Sequence, residues 1–197
     1  MTPSPQPARA IAKLLIAGGF GVGKTTAIGS VSDITPLRTE EVLTAQSTAI
    51  DSLAGIEDKT TTTVAFDFGR VGWDAPTPVE LYLFGTPGQP RFWDFWHDLS
   101  EGAHGAVVLA DTRRLKSSFP AVDFFEQRGL PFVIAINVFP GTRRRPPDEV
   151  REAFAVDTQV PVLFCDARNA DSVARVLITL AEYAATVASA NSALLDA

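Results

Sequence analysis

The chain has 197 residues, 46% of them hydrophobic and 20% charged, with a formal net charge of −6. That length and apolar content suit one domain with a well-buried core. The acidic balance speaks against nucleic-acid binding, since the longest basic run, Arg143-Arg144-Arg145, is short and meets Pro146-Pro147 as a solvated loop.

Residues 1–10 are proline-rich and read as a disordered tail, residues 11–190 as the domain and residues 191–197 as a second tail. The apolar run 11–17 is the first strand and 24–31 the first helix. Residues 32–62 turn polar and threonine-rich without a period, which predicts a long loop with one short helical turn near 40–43. Residues 64–71 and 79–84 read as antiparallel strands joined around Asp74-Ala75-Pro76. An aromatic helix over 91–100 and a strand over 106–110 follow. Helices over 118–128, 148–154 and 171–189 then alternate with strands over 132–137 and 160–165. Strands and helices in this order predict an α/β fold of three layers, with a six-stranded, mostly parallel sheet and one antiparallel edge strand.

No uninterrupted apolar stretch reaches the roughly 18 residues of a membrane helix, and residues 1–10 lack a signal core. Thr2 stands where myristoylation needs glycine, and Leu194-Leu195-Asp196-Ala197 is no prenylation box. The expectation is a cytoplasmic protein without a membrane anchor of its own. The one cysteine, Cys165, excludes an internal disulfide and fits a reducing compartment.

Chemistry concentrates after the first strand. Gly18-Gly19-Phe20-Gly21-Val22-Gly23-Lys24-Thr25 fits G-x-x-x-x-G-K-(S/T), the phosphate-binding P-loop, in its strand-to-helix setting. Gly18, Gly21, Val22 and Gly23 supply backbone N–H groups to phosphate, and Lys24 adds a point charge. The Thr25 hydroxyl is placed for Mg²⁺, which takes one or two protein oxygens beside phosphate and water, while Thr26 anchors phosphate or caps the helix.

With Thr63-Val64-Ala65-Phe66-Asp67-Phe68-Gly69, Leu83-Phe84-Gly85-Thr86-Pro87-Gly88-Gln89 and Asn137 following in order, the chain resembles the Ras-like small GTPases. More narrowly, its segments Thr63 to Gly69 and Leu83 to Gln89 resemble the bacterial branch that includes the gliding-motility polarity and actinobacterial conservon GTPases. The resemblance implies the Ras-like P-loop NTPase fold, GTP/GDP and Mg²⁺ as ligands, and a slow, partner-assisted GTPase switch. It implies that Thr63 completes Mg²⁺ coordination from switch I, that Gly88 approaches the γ-phosphate and that Gln89 orients the attacking water. It also implies a roadblock-fold partner and a sensor-kinase-like membrane protein, through which any membrane association would be borrowed.

Two departures from the family pattern stand out. Gly85 replaces the aspartate that holds Mg²⁺ through water, so weaker Mg²⁺ binding or faster nucleotide exchange is expected. The base-reading Asn-Lys-x-Asp becomes Asn137-Val138-Phe139-Pro140, keeping Asn137 and losing the carboxylate that reads guanine. Val138 and Phe139 can still pack on a base, and the Ala167 N–H in Cys165-Asp166-Ala167-Arg168 is available to a guanine O6. Asp166 either supplies the missing carboxylate or forms a cap or loop salt bridge. Asp111-Thr112-Arg113-Arg114 reads as a capping and surface segment, and His97 and His104 as structural. Of Phe92, Trp93, Phe95, Trp96 and Leu99, all but Trp93 fall on one inward stripe. Beside the GTPase reading stand a pseudo-GTPase or binding module with degenerate specificity, and an ATP-using phosphotransferase.

Overall fold

The first strand, β1 (Ala10–Ala17), sorts the molecule into two cores by simple alternation. Leu14 and Ile16 enter one apolar cluster, while Leu15 and Ala17 enter another on the opposite face. The computed structural model describes residues 9–43, 62–74, 78–88 and 94–195. After β1 come α1 (Lys24–Val31), β2 (Leu37–Leu43), β3 (Thr62–Trp73), β4 (Val79–Gly85), α2 (Asp94–Ser100) and β5 (Gly105–Ala110). A 3-10 turn (Leu115–Ser118) leads into α3 (Phe119–Arg128), followed by β6 (Phe132–Asn137), α4 (Pro147–Phe154), β7 (Val162–Cys165) and α5 (Ala170–Leu195).

The strands form one sheet in the order β2-β3-β4-β1-β5-β6-β7. Helices α1 and α5 cover one face through Ile28, Val173, Leu177 and Leu180. Helices α2, α3 and α4 cover the other through Trp96, Phe125 and Phe154, with Trp96 stacked on Phe125 at 6.3 Å between centroids. The α/β, three-layer arrangement is the one expected from sequence.

Among the described residues the sheet has seven strands rather than six. Residues 37–43, read as loop and helical turn, instead form β2, which pairs antiparallel with β3 from Leu37↔Phe68 to Leu43↔Thr62. Among the described strands β3 alone runs against the others, and it lies one place in from the edge because β2 covers it. Leu37-Arg38-Thr39-Glu40-Glu41-Val42-Leu43 has no alternation because an outer strand with charged residues is not required to bury a face. Helix α5 also runs past residue 189 to Leu195, since nothing in its alanine-rich end stops a helix. Its part 170–193 is long and apolar enough to cross a membrane by length and composition, although Asp171, Arg175 and Glu182 interrupt the apolar run as the sequence reading has it. Its Val173, Val176, Leu177 and Leu180 are nonetheless buried in the core. Most of the proline-rich tail and the turn around Ala75-Pro76 lie outside the described residues.

Candidate functional site

β1 ends in the P-loop, and the loop's last turn requires glycine. Gly23 has φ +106°, and a Cβ there would stand 2.7 Å from Asn137 Nδ2. Lys24 Nζ donates to the carbonyls of Gly18 and Gly19, each at 2.9 Å. Burial pushes its ammonium pKa down to about 8, against the upward pull of the Asp67 carboxylate. Gly88 packs over this loop so closely that a Cβ on it would lie 2.7 Å from Lys24 Nζ and 3.0 Å from the Phe20 nitrogen. The turn that carries Gly88 thus meets the P-loop. Phe20 stands 70% exposed beside it, Val22 is buried, and Thr26 is exposed in the first turn of α1.

A carboxylate from the neighbouring strand lies against Gly85. Asp67 of β3 accepts a hydrogen bond from the Thr25 hydroxyl. Its side chain lies where a side chain on Gly85 would go: a Cβ at Gly85 would be 3.3 Å from Asp67 Cβ and 3.5 Å from Asp67 Oδ2. Beside it Thr86 is buried, its Oγ1 without a hydrogen-bond partner among the described residues. A hydroxyl aligned by a carboxylate fits Mg²⁺, which keeps water and phosphate oxygens as most of its ligands. Among the described residues no group of three or more His, Cys, Asp or Glu could form a metal cage, and Mg²⁺ needs none.

Thr63 is not gathered at this point. It pairs with Val42 inside the β2–β3 ladder, four residues along the strand from Asp67. That separation is about 13 Å along the backbone of the strand. Gln89, Phe92 and Trp93 lie outside the described residues. Of the aromatic stripe, Trp96 and Leu99 are buried, and Trp96 Nε1 donates to the Pro87 carbonyl at 3.0 Å, tying α2 to the Gly88 turn.

In the base-reading loop, Asn137 acts as a brace. Its Nδ2 donates to the Val22 carbonyl at 2.8 Å, and its Oδ1 accepts from the Ala167 N–H at 3.1 Å. The Ala167 N–H, expected to be available to a base, is therefore engaged here. We expect Asn137→Ala to leave two buried backbone groups unpaired and cost about 2–3 kcal/mol. For a domain of this size that lowers the melting temperature by about 5–10 °C in a thermal scan. Asp166 is taken by Arg168, whose Nε and Nη2 each donate to it at 2.8 Å and hold its carboxyl below the usual range. That is the loop salt bridge of the two alternatives. Burial pushes the Cys165 thiol up to about 11, so it stays protonated and unreactive. His104 Nδ1 accepts from the Lys13 N–H, and His97 Nδ1 bonds Arg128, both structural roles.

Sequence reasoning missed the chemistry of Asp111-Thr112-Arg113-Arg114. Asp111 is 1% exposed, with both arginines on its carboxylate. The Arg113 guanidinium also lies 4.0 Å above the centre of the Phe139 ring. A buried aspartate at the carboxyl end of an apolar strand, followed by two arginines, was the available signal.

A family model described as "Conserved hypothetical ATP binding protein" matches residues 16–187. Methanocaldococcus jannaschii protein MJ1339, described as uncharacterized, is 28% identical over 128 residues, covering 64% of this chain and 68% of that protein. The G domain of the T. maritima FeoB iron transporter has a similar fold, with a TM-score of 0.61 at 14% identity over 88% of this chain and 99% of that one. The FeoB cytosolic domain in a GDP form gives a TM-score of 0.63 at 15% identity, over 90% and 64% of the two chains.

Proposed function

The chain belongs to the family of conserved hypothetical ATP binding proteins, and from that premise we propose a nucleotide switch that binds GTP with Mg²⁺, hydrolyses it slowly and signals to a protein partner. The observation that carries this reading is the packing of Gly88 against Lys24, which couples the Gly-Gln turn to whatever phosphate sits on the P-loop. Lys24 would exchange its two loop carbonyls for phosphate oxygens. Bound Mg²⁺ would neutralise charge on the β and γ oxygens, with Thr25 as ligand and Asp67 orienting the Thr25 hydroxyl. Gln89 would position water for in-line attack. In this reading Thr63 reaches the γ-phosphate as its end of β3 leaves the ladder with β2, which gives the switch its moving part. The family resemblance supports a roadblock-fold partner, a cytoplasmic location and a sensor-kinase-like protein as the route to the membrane.

The loss of a carboxylate at Pro140, with the family's description as ATP binding, favours a second reading in which adenine nucleotides bind as well. Competition of unlabelled GDP, ADP and XDP against fluorescent GDP, with and without Mg²⁺, separates the two. Selective displacement by GDP supports the GTP switch; equal displacement by ADP supports the second reading, and no binding to a folded protein rejects both. Gln89→Leu then tests turnover: phosphate release should fall from a slow basal rate, on the order of 10⁻⁴ per second, to background while nucleotide binding persists. Unchanged release would remove hydrolysis by this route.

A further inference from the structure

We propose that Asp111, Arg113 and Arg114 form a second cationic arm of the nucleotide site, with Arg114 serving the polyphosphate and Arg113 the base side. The inference rests on nucleotide binding at the P-loop. Strand order supplies the first argument: β5 lies between β1, which carries the P-loop, and β6, which carries the base loop. Its last residue, Ala110, pairs with Ile136, so Asp111 emerges beside Asn137. Whatever projects from this strand end has both halves of the site within reach.

Asp111 then fixes two guanidinium groups in different directions. It accepts from Arg113 Nε at 2.8 Å, from Arg113 Nη2 at 2.7 Å and from the Arg113 backbone N–H at 3.0 Å. Arg114 Nη2 reaches the same carboxylate only at 3.4 Å, and it stands 3.7 Å from where a Cβ on Gly21 would be. One guanidinium is therefore held on the base loop over Phe139, the other along the P-loop. Thr112, which precedes them in sequence, lines a shallow, solvent-open recess with Asn137, Val138 and Phe139.

Charge balance points the same way. One carboxylate cannot neutralise two guanidinium groups, so the cluster carries a net positive charge, and its arginine side chains remain 49% and 53% exposed. A surplus cation beside Gly21 contributes nothing to the apolar core, and it attracts an anion. It also compensates for Val138, which stands where the family pattern has a lysine, and does so from the next strand. Arginine suits both places, because a planar group can stack on a ring and on a base and can still donate to phosphate.

The test uses the full chain and fluorescent GDP, with inorganic pyrophosphate and unlabelled GDP, ADP and XDP as competitors at low and high salt. Arg114→Ala should weaken GDP and pyrophosphate alike by about tenfold and flatten the salt dependence. Arg114→Lys should recover most of the loss, because phosphate accepts a point charge. Arg113→Ala should leave pyrophosphate competition within about twofold of the parent yet change the GDP-to-ADP or GDP-to-XDP ratio by about threefold or more, and Arg113→Lys should not restore it. Both positions are half-exposed, and a thermal scan on each variant checks the fold. If the parent binds GDP and both alanine variants match it in affinity, selectivity and salt response, the arm is overturned and the P-loop reading stands. A folded parent that binds neither GDP nor pyrophosphate overturns both.

Discussion

Lys24→Ala should bind GDP about a hundred-fold or more weakly than the parent while folding at least as stably. The ammonium is desolvated and held by two neutral carbonyls, so its charge is poorly compensated until phosphate arrives. Removing one member of a buried charge pair costs about 2–5 kcal/mol of binding. In the free protein the balance runs the other way. The folded chain holds this proton only up to a pH of about 8, the unfolded chain up to about 10.5. Between those values the unfolded state binds more protons, so the Lys24 contribution to stability rises with pH across that window. Affinity for a phosphate anion falls over the same interval, by up to about tenfold per pH unit, because the charged lysine becomes scarce. The measurement is GDP affinity in EDTA from pH 6.5 to 10 for parent and variant. A parent curve that is flat to about pH 8 and then falls, against a level variant curve, is expected. Two parallel curves would mean that Lys24 is not the titrating group.

Much of this site was legible because phosphate binding imposes a local pattern, and local patterns survive in a linear sequence. The P-loop sits between β1 and α1 as read, and Asn137 ends β6 as read. What escaped depends on strand neighbours. Asp67 lies between Phe66 and Phe68 in an alternating strand, where it reads as the solvent-facing member of the pair. Only the antiparallel register, with Phe68 opposite Phe84, brings it over Gly85 and onto Thr25. Arg113 and Arg114 escaped for the same reason: their partners Phe139 and Gly21 are one strand away on either side. The strand β2 escaped because an outer strand has little periodicity to show, and the bracing role of Asn137 escaped because its amide ties two loops far apart in sequence.

Asp67→Asn should raise the Mg²⁺ concentration needed to retain nucleotide by about 10- to 100-fold, the usual penalty for losing a group that orients a metal ligand. The argument turns on space. Gly85 is buried, and a Cβ there would already stand 3.1 Å from Ile28 Cδ1 and 3.3 Å from Asp67 Cβ. One carboxylate fits between these strands, and it can come from either side. Gly85→Asp in the parent should therefore destabilise, because it crowds Ile28 and sets two carboxylates in contact. In an Asp67→Gly background the same substitution has the vacated volume to enter. The exchanged pair should regain most of the Mg²⁺ response that Asp67→Gly alone loses, although the sequence change at each position is the reverse of conservative. The readout is nucleotide release rate against Mg²⁺ concentration for the four proteins. If Asp67→Asn titrates like the parent, Asp67 only braces Thr25; if it titrates weakly but the exchanged pair stays weak, the carboxylate acts from β3 alone, through a geometry that β4 cannot reproduce.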